Sequence, residues 1–144
     1  MILDVGCGSE AGNRPLLRES VLHIDLQITD FNRFFVDVRC DAQRLPFRDK
    51  SFDEVFCSHI IEHVENPLLL LKELMRISKG LVTVKCPHRF SVTAKNRLHI
   101  NYFNVTWFVN TLEKMKVKYN VHYDYAPRFL FLSFPRELTV RFLS

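Results

Sequence analysis

The chain has no apolar run near the ~20 residues that a membrane-crossing helix needs, so a helical span is excluded. Its first residues lack the basic-then-apolar pattern of a secretory signal, and a cytoplasmic protein is expected. The four cysteines, Cys7, Cys40, Cys57 and Cys86, form no C-x-x-C pair. That disfavours a disulfide scaffold or a zinc ribbon and leaves them as small apolar side chains at strand ends. Internal repeats and low-complexity linkers are also missing. What is there, 144 residues with 47% hydrophobic and 25% charged content, suits one globular domain spanning residues 1–144.

Charge is divided unevenly along that domain. Residues 1–80 carry 10 Lys/Arg against 13 Asp/Glu, a net of −3. Residues 81–144 carry 10 against 3, a net of +7. A basic second half next to a mildly acidic first half points to an anionic partner for the second half.

Hydrophobic periodicity predicts strands at residues 1–5, 21–25, 34–38, 52–57 and 81–86, with a short helix near 13–20. Asn66-Pro67 is an N-cap and first-turn pair, opening a helix that runs to Ile77. Lys79-Gly80 is expected to close it with a left-handed cap. Residues 88–105 read as a long, polar, basic excursion, a length that favours a functional loop. Thr106 can cap a helix carrying Phe108, Leu112 and Met115, and Val117 to Tyr125 alternates as a half-buried strand. A last β stretch from Phe129 to about Phe142 is interrupted by Pro135. The order predicts an α/β, doubly wound, mostly parallel sheet with an antiparallel last pair.

The most informative segment is Met1-Ile2-Leu3-Asp4-Val5-Gly6-Cys7-Gly8-Ser9. An apolar strand meets an acid and then a Gly-x-Gly turn, where a Cβ at Gly6 or Gly8 would obstruct a nucleotide-like ligand. Val21-Leu22-His23-Ile24-Asp25 is a second apolar strand, and its carboxylate falls 19 residues after Gly6. That is the spacing at which a βαβ unit sets an acid against ribose hydroxyls. Gly6-x-Gly8-x-x-Ala11 also satisfies the looser dinucleotide pattern, with Asp25 as its ribose acid. A pyrophosphate, however, needs a helix N-terminus free of negative charge, and Glu10 sits there.

Taken with Cys40-Asp41-Ala42-Gln43-Arg44-Leu45-Pro46-Phe47, Ser51-Phe52-Asp53-Glu54-Val55 and Ile61-Glu62-His63-Val64, these motifs resemble class I S-adenosylmethionine-dependent methyltransferases of the small UbiE-like, type 11 branch. The resemblance covers roughly residues 1–87. It implies a near-minimal Rossmann-like domain with a seven-stranded sheet and S-adenosyl-L-methionine as cofactor. By the same resemblance Asp4, Gly6, Cys7, Gly8, Asp25, Leu26, Asp41, Ala42, Ser58 and His63 line the cofactor site. One departure is visible: many members carry Gly or Thr where this chain has Glu10, and Gly12 is displaced. A cofactor-binding module without turnover is the alternative that this departure motivates.

Three further clusters bear on chemistry. His59, Glu62 and His63 spell H-x-x-E-H, three ligand-capable groups that share a face on a helical turn. The resemblance favours a structural role for them, with no metal. His88 and His99 flank the 88–105 loop on the expected substrate side, where a neutral imidazole can accept the acceptor's proton, and they are the catalytic candidates. The loop holds Arg89, Lys95 and Arg97 without an acid, interleaved with Phe90, Tyr102 and Phe103. Cations neutralise phosphates and aromatic faces stack on flat rings, so the expected methyl acceptor is anionic, RNA or a phosphorylated small molecule. A homodimer stays open as a partner state, and a membrane partner is not expected.

Overall fold

Helix α1, Pro67–Ile77, begins where its sequence asks it to. The Asn66 side chain accepts a hydrogen bond from the Leu69 amide, and Pro67 fills a position whose amide would have no partner. Leu70, Leu71, Leu74 and Ile77 form one fully buried stripe. The structure, a computed structural model, describes residues 1–7, 20–30, 33–34, 36–91, 93–125 and 135–144. The expected helix near 13–20, Gly8 and Glu10, and the start of the last β stretch lie outside the described residues.

Seven strands make one sheet in the order β3-β2-β1-β4-β5-β7-β6. They are β1 Ile2–Val5, β2 Val21–Asp25, β3 Val38–Arg39, β4 Phe52–Ser58, β5 Ser78–Pro87, β6 Tyr119–Tyr125 and β7 Pro135–Leu143. The first five are parallel, and β7 is antiparallel to both β5 and β6. This is the expected doubly wound sheet with its antiparallel last pair. Strand order reverses between β1 and β4, which are hydrogen-bonded neighbours with Val5 opposite Cys57. Ligands of open α/β sheets bind beyond the carboxyl ends at such a switch point.

Three local expectations are corrected. Helix α1 does not end in a left-handed glycine cap. Ser78 takes an extended conformation and the chain enters β5 at once, so Gly80 is a strand residue. The third strand is not 34–38 but two residues long: pairing with β2 starts at Ile24 opposite Val38, and Phe34 is 78% exposed. Just before Val38, Asp37 is tied to β2 on both sides: its amide donates to the His23 carbonyl and its carboxylate accepts from the His23 amide. Helix α2, Val105–Lys114, is capped by Asn104 rather than Thr106, with Trp107 donating to the Asn104 side chain.

The core lies on one face of the sheet. Val82, Val84 and Cys86 of β5 and Leu138, Val140 and Phe142 of β7 join the α1 stripe and Phe108 and Leu112 of α2 in one cluster. Burying residues of this size contributes roughly 1.5–3 kcal/mol each. Among the described residues no helix is long and apolar enough to cross a membrane.

Candidate functional site

Because β1, β2, β3, β4 and β5 run parallel in register, their carboxyl ends form one rim. Gly6 and Cys7 follow β1, Leu26 follows β2, Asp41 and Ala42 follow β3, His59 to His63 follow β4, and His88 follows β5. The residues singled out from sequence therefore gather along a single edge, apart from Gly8, which is not described.

The β1–β3 stretch of the rim is acidic. Asp4 is 2% exposed, and its Oδ2 lies 3.1 Å from His23 Nδ1, so the buried carboxylate has a partner. Asp25 at the end of β2 accepts from the Gln27 amide, and Asp41 accepts from the Gln43 amide in a tight Asx turn. Burial, together with the charges of Asp25 and Asp4, pushes the Cys7 thiol up to about 12. Desolvation likewise raises Cys57 and Cys86 well above the usual thiol range, and Cys40 to a smaller degree. All four cysteines are free and stay protonated at neutral pH, as small apolar groups would.

The turn after β1 is shaped by Gly6, whose φ is +73°. A Cβ there would lie 2.0 Å from Ile60 Cδ1, so the turn and the segment after β4 are fitted to each other. The segment after β3 is held from below by Arg76 of α1. Its guanidinium forms a two-pronged pair with Glu73 and donates to the Leu45 and Phe47 carbonyls and to Asp49. Glu73 also accepts from the Leu45 amide, and these bonds hold its carboxyl below the usual glutamate range. Sequence reading missed this brace, since an Arg late in a helix reads as a solvated charge.

The β4–β5 stretch is rich in imidazoles, and H-x-x-E-H is not helical there. His59 has a left-handed φ of +57°, a strained position for a residue with a Cβ. It turns away from His63: Nε2 lies 2.6 Å from Glu137 of β7 and Nδ1 3.3 Å from Glu62. Those two carboxylates raise its pKa to about 9, so it is a cation at neutral pH. The expectation that His59, Glu62 and His63 share one face is thus corrected. Glu62 and His63 instead meet His99, with ligand-capable atoms of all three within 4.8 Å of one another.

His99 reaches them because its loop is tied to the turn after β4. The Ile100 and Asn101 amides both donate to the Glu62 carbonyl, and Asn101 Nδ2 donates to the Val64 carbonyl. His63 and His99 stack edge to face at 4.7 Å. Burial lowers the pKa of both His88 and His99, which keeps them neutral. Their tautomers differ. His88 Nδ1 faces the Phe90 amide at 3.4 Å and acts as an acceptor, whereas His99 Nδ1 faces the Ala94 carbonyl at 3.1 Å and must donate. Of these two, His99 is the one that keeps its Nε2 lone pair in the neutral form.

The 88–105 loop is more ordered than its composition suggests. It contains a 3-10 turn at Thr93–Lys95 and a bridge from His88 to Phe103. Arg89, Lys95 and Arg97 are exposed, as are Phe90 and Tyr102. Phe103 is not available for stacking, because it is buried against Trp107 and Phe108.

Comparison with known proteins agrees with this architecture. A family model described as a methyltransferase domain matches residues 3–82. An uncharacterized protein of Methanocaldococcus jannaschii is 34% identical over 83 residues, which are 56% of this chain and 36% of that protein, so the match spans about a third of the relative's length. Among solved structures, an S-adenosylmethionine-dependent methyltransferase of Mesorhizobium loti superposes with a TM-score of 0.73 at 17% identity, covering 99% of this chain and 90% of that one. A Thermotoga maritima S-adenosylmethionine-dependent methyltransferase gives 0.69 at 18% identity, covering 99% and 81%. With a sheet that reverses at the β1/β4 switch point, a glycine turn beside two strand-end acids and a family match over more than half its length, the chain belongs to the methyltransferase domain family.

Proposed function

We propose that this protein transfers a methyl group from S-adenosylmethionine to an anionic acceptor held over the ends of β4 and β5. The observation that carries the donor half is the placement of the Asp4 and Asp25 carboxylates beside the Gly6–Cys7 turn, whose amides both donate to the Ile24 carbonyl. A phosphate-bearing dinucleotide would be repelled there, while a phosphate-free cation is favoured. Bound at this rim, S-adenosylmethionine supplies a methyl group activated by its positively charged sulfur.

The chain's own residues do the rest by placement. Asp25 accepts from ribose hydroxyls and Asp41 from the adenine amino group, with Ala42, Leu45 and Leu26 as apolar surroundings. The turn at Gly6 and Cys7 offers backbone at close range, continuing toward Gly8. Asp4, fixed by His23, faces the cationic end. Ser58 and His63 stand at the border between donor and acceptor, and His88, whose neutral form donates from Nε2, orients the acceptor. His99 Nε2 is the lone pair suited to take the acceptor's proton. Holding both reactants in line is the main catalytic effect.

Asp25→Ala should weaken binding of S-adenosylhomocysteine by about 2 kcal/mol or more, because a charged acceptor is lost. Calorimetry checks this, and unchanged affinity or a preference for NAD would remove the donor site. Binding without label transfer to any fraction of a cell extract would instead favour a module without turnover.

The acceptor's anionic character rests on the exposed Arg89, Lys95 and Arg97 beside Phe90 and Tyr102. A triple Arg89→Ala/Lys95→Ala/Arg97→Ala variant should keep donor affinity and lose acceptor affinity, the loss shrinking at high salt. RNA is the first acceptor to test, with phosphorylated metabolites second. Undiminished activity of the variant at low salt would remove the anionic acceptor.

A further inference from the structure

The carboxylate and two imidazoles that meet beyond β4 are arranged as ligands, and we infer that Glu62, His63 and His99 form a binding site for a divalent first-row transition-metal ion. One observation is the convergence itself: one ligand-capable atom from each residue, all within 4.8 Å. Three donors around one ion at bond lengths near 2 Å stand about 3 to 3.5 Å apart, so small side-chain rotations complete the set.

The second observation is independent. Glu62 is 1% exposed, its Oε1 faces His59, and its Oε2 is buried with no hydrogen-bond partner among the described residues. A buried carboxylate oxygen left bare keeps the full cost of its lost hydration, and such an atom calls for an occupant. The third observation is how the imidazoles are held. His63 Nδ1 lies 3.0 Å from the Leu98 carbonyl and His99 Nδ1 3.1 Å from the Ala94 carbonyl. Each ring therefore donates from Nδ1 to a fixed backbone acceptor and keeps the Nε2 lone pair for something else. That is the outer-shell arrangement that orients metal-binding histidines.

Two histidines with one carboxylate is a donor set for zinc or another ion of that row, not for calcium or magnesium, which take all-oxygen sets. His63 is exposed while Glu62 is buried, so the site opens to solvent on one side. Three protein ligands and an open side describe a site that keeps coordination positions for water or another oxygen. The expectation of no metal came from the resemblance and concerned His59, Glu62 and His63. With His59 diverted to Glu137 and His99 brought in, the set is a different one. His99 Nε2 takes a proton only when no ion is bound, so the two uses of that lone pair exclude each other.

The test reads the metal and not methyl transfer, so it stands or falls apart from the proposed reaction. Tag-free protein stripped by chelator is titrated with cobalt(II), followed by visible absorption, and then with zinc in competition. The wild type should bind one equivalent and gain thermal stability. His63→Ala and His99→Ala should each weaken cobalt binding at least tenfold, and Glu62→Gln should do the same if it folds. The two histidine variants decide the matter should the buried Glu62 variant not fold. Absence of stoichiometric binding by wild type, or binding that survives the His63→Ala/His99→Ala pair, would overturn the site.

Discussion

The two stretches of the rim are built in opposite ways. On the β1–β3 side the functional groups are carboxylates, each lying on or just past a strand, and the chain that carries them is continuous with a glycine turn. On the β4–β5 side they are imidazoles on turns and a loop, brought together by main-chain bonds from Ile100 and Asn101 to Glu62. The first stretch is positioned by the sheet itself, the second by contacts between segments 37 residues apart, as in the bond from Asn101 to Val64. A site fixed by strands tolerates change in its surroundings; one fixed by loop contacts is sensitive to each tie.

The interlock between the two stretches should be the most costly to break. Gly6→Ala forces a residue with a Cβ into positive φ and drives it against Ile60. A loss of about 3 kcal/mol in stability is expected from the two effects together. Denaturant unfolding of Gly6→Ala, and of Gly6→Ala/Ile60→Ala, checks it: the second change should restore part of the loss only if the clash is real. A full-strength Gly6→Ala protein would mean that the stretches are not fitted to each other.

The brace under the acidic stretch comes next. Glu73→Gln should destabilise by about 2 kcal/mol at neutral pH, since Arg76 loses the more buried of its two ionic partners and keeps only the exposed Asp49. Glu73 has its pKa lowered in the folded chain, chiefly by the bonds from Arg76. Its contribution is therefore full above the ordinary glutamate pKa and lost as pH falls through the lowered folded value. Stability curves of wild type and variant should converge on acidification; a gap independent of pH would refute the ionic account.

Cutting a tie on the imidazole side should have the smallest effect on stability and a one-sided effect on function. Asn101→Ala removes the bond to the Val64 carbonyl, worth about 1 kcal/mol. Cofactor affinity should be unchanged, while turnover falls because His99 loses its placement. An equal fall in donor binding would show that the two stretches act as one unit.

The acidic stretch was legible in sequence because its geometry is local. The spacing of Gly6 and Asp25 is set by one βαβ unit, and Asp41 follows at a strand end. The imidazole stretch was not, because His99 and Glu62 are joined through backbone amides that no side-chain pattern reports. The strand expected at 34–38 failed for a related reason: Phe34 and Phe35 look like a buried alternation in sequence, but Phe34 is exposed and the register with β2 begins at Val38. Arg76 was overlooked because its partners include the carbonyls of Leu45 and Phe47, which carry no sequence identity. Strand β7 was expected to pair, and it does; that it lies between β5 and β6 follows from the sheet order and not from any residue in it.

That order also governs how the chain can be made. Strand β6 has no edge to join until β7 exists, since β7 lies between it and β5. During synthesis a chain ending before Pro135 therefore has a five-stranded parallel sheet at most, with the free edge of β5 exposed and the residues of β6 waiting beside it. The sheet order therefore requires β6 to join only together with or after β7, and until β7 is in place the β5 edge is open to pairing with another chain.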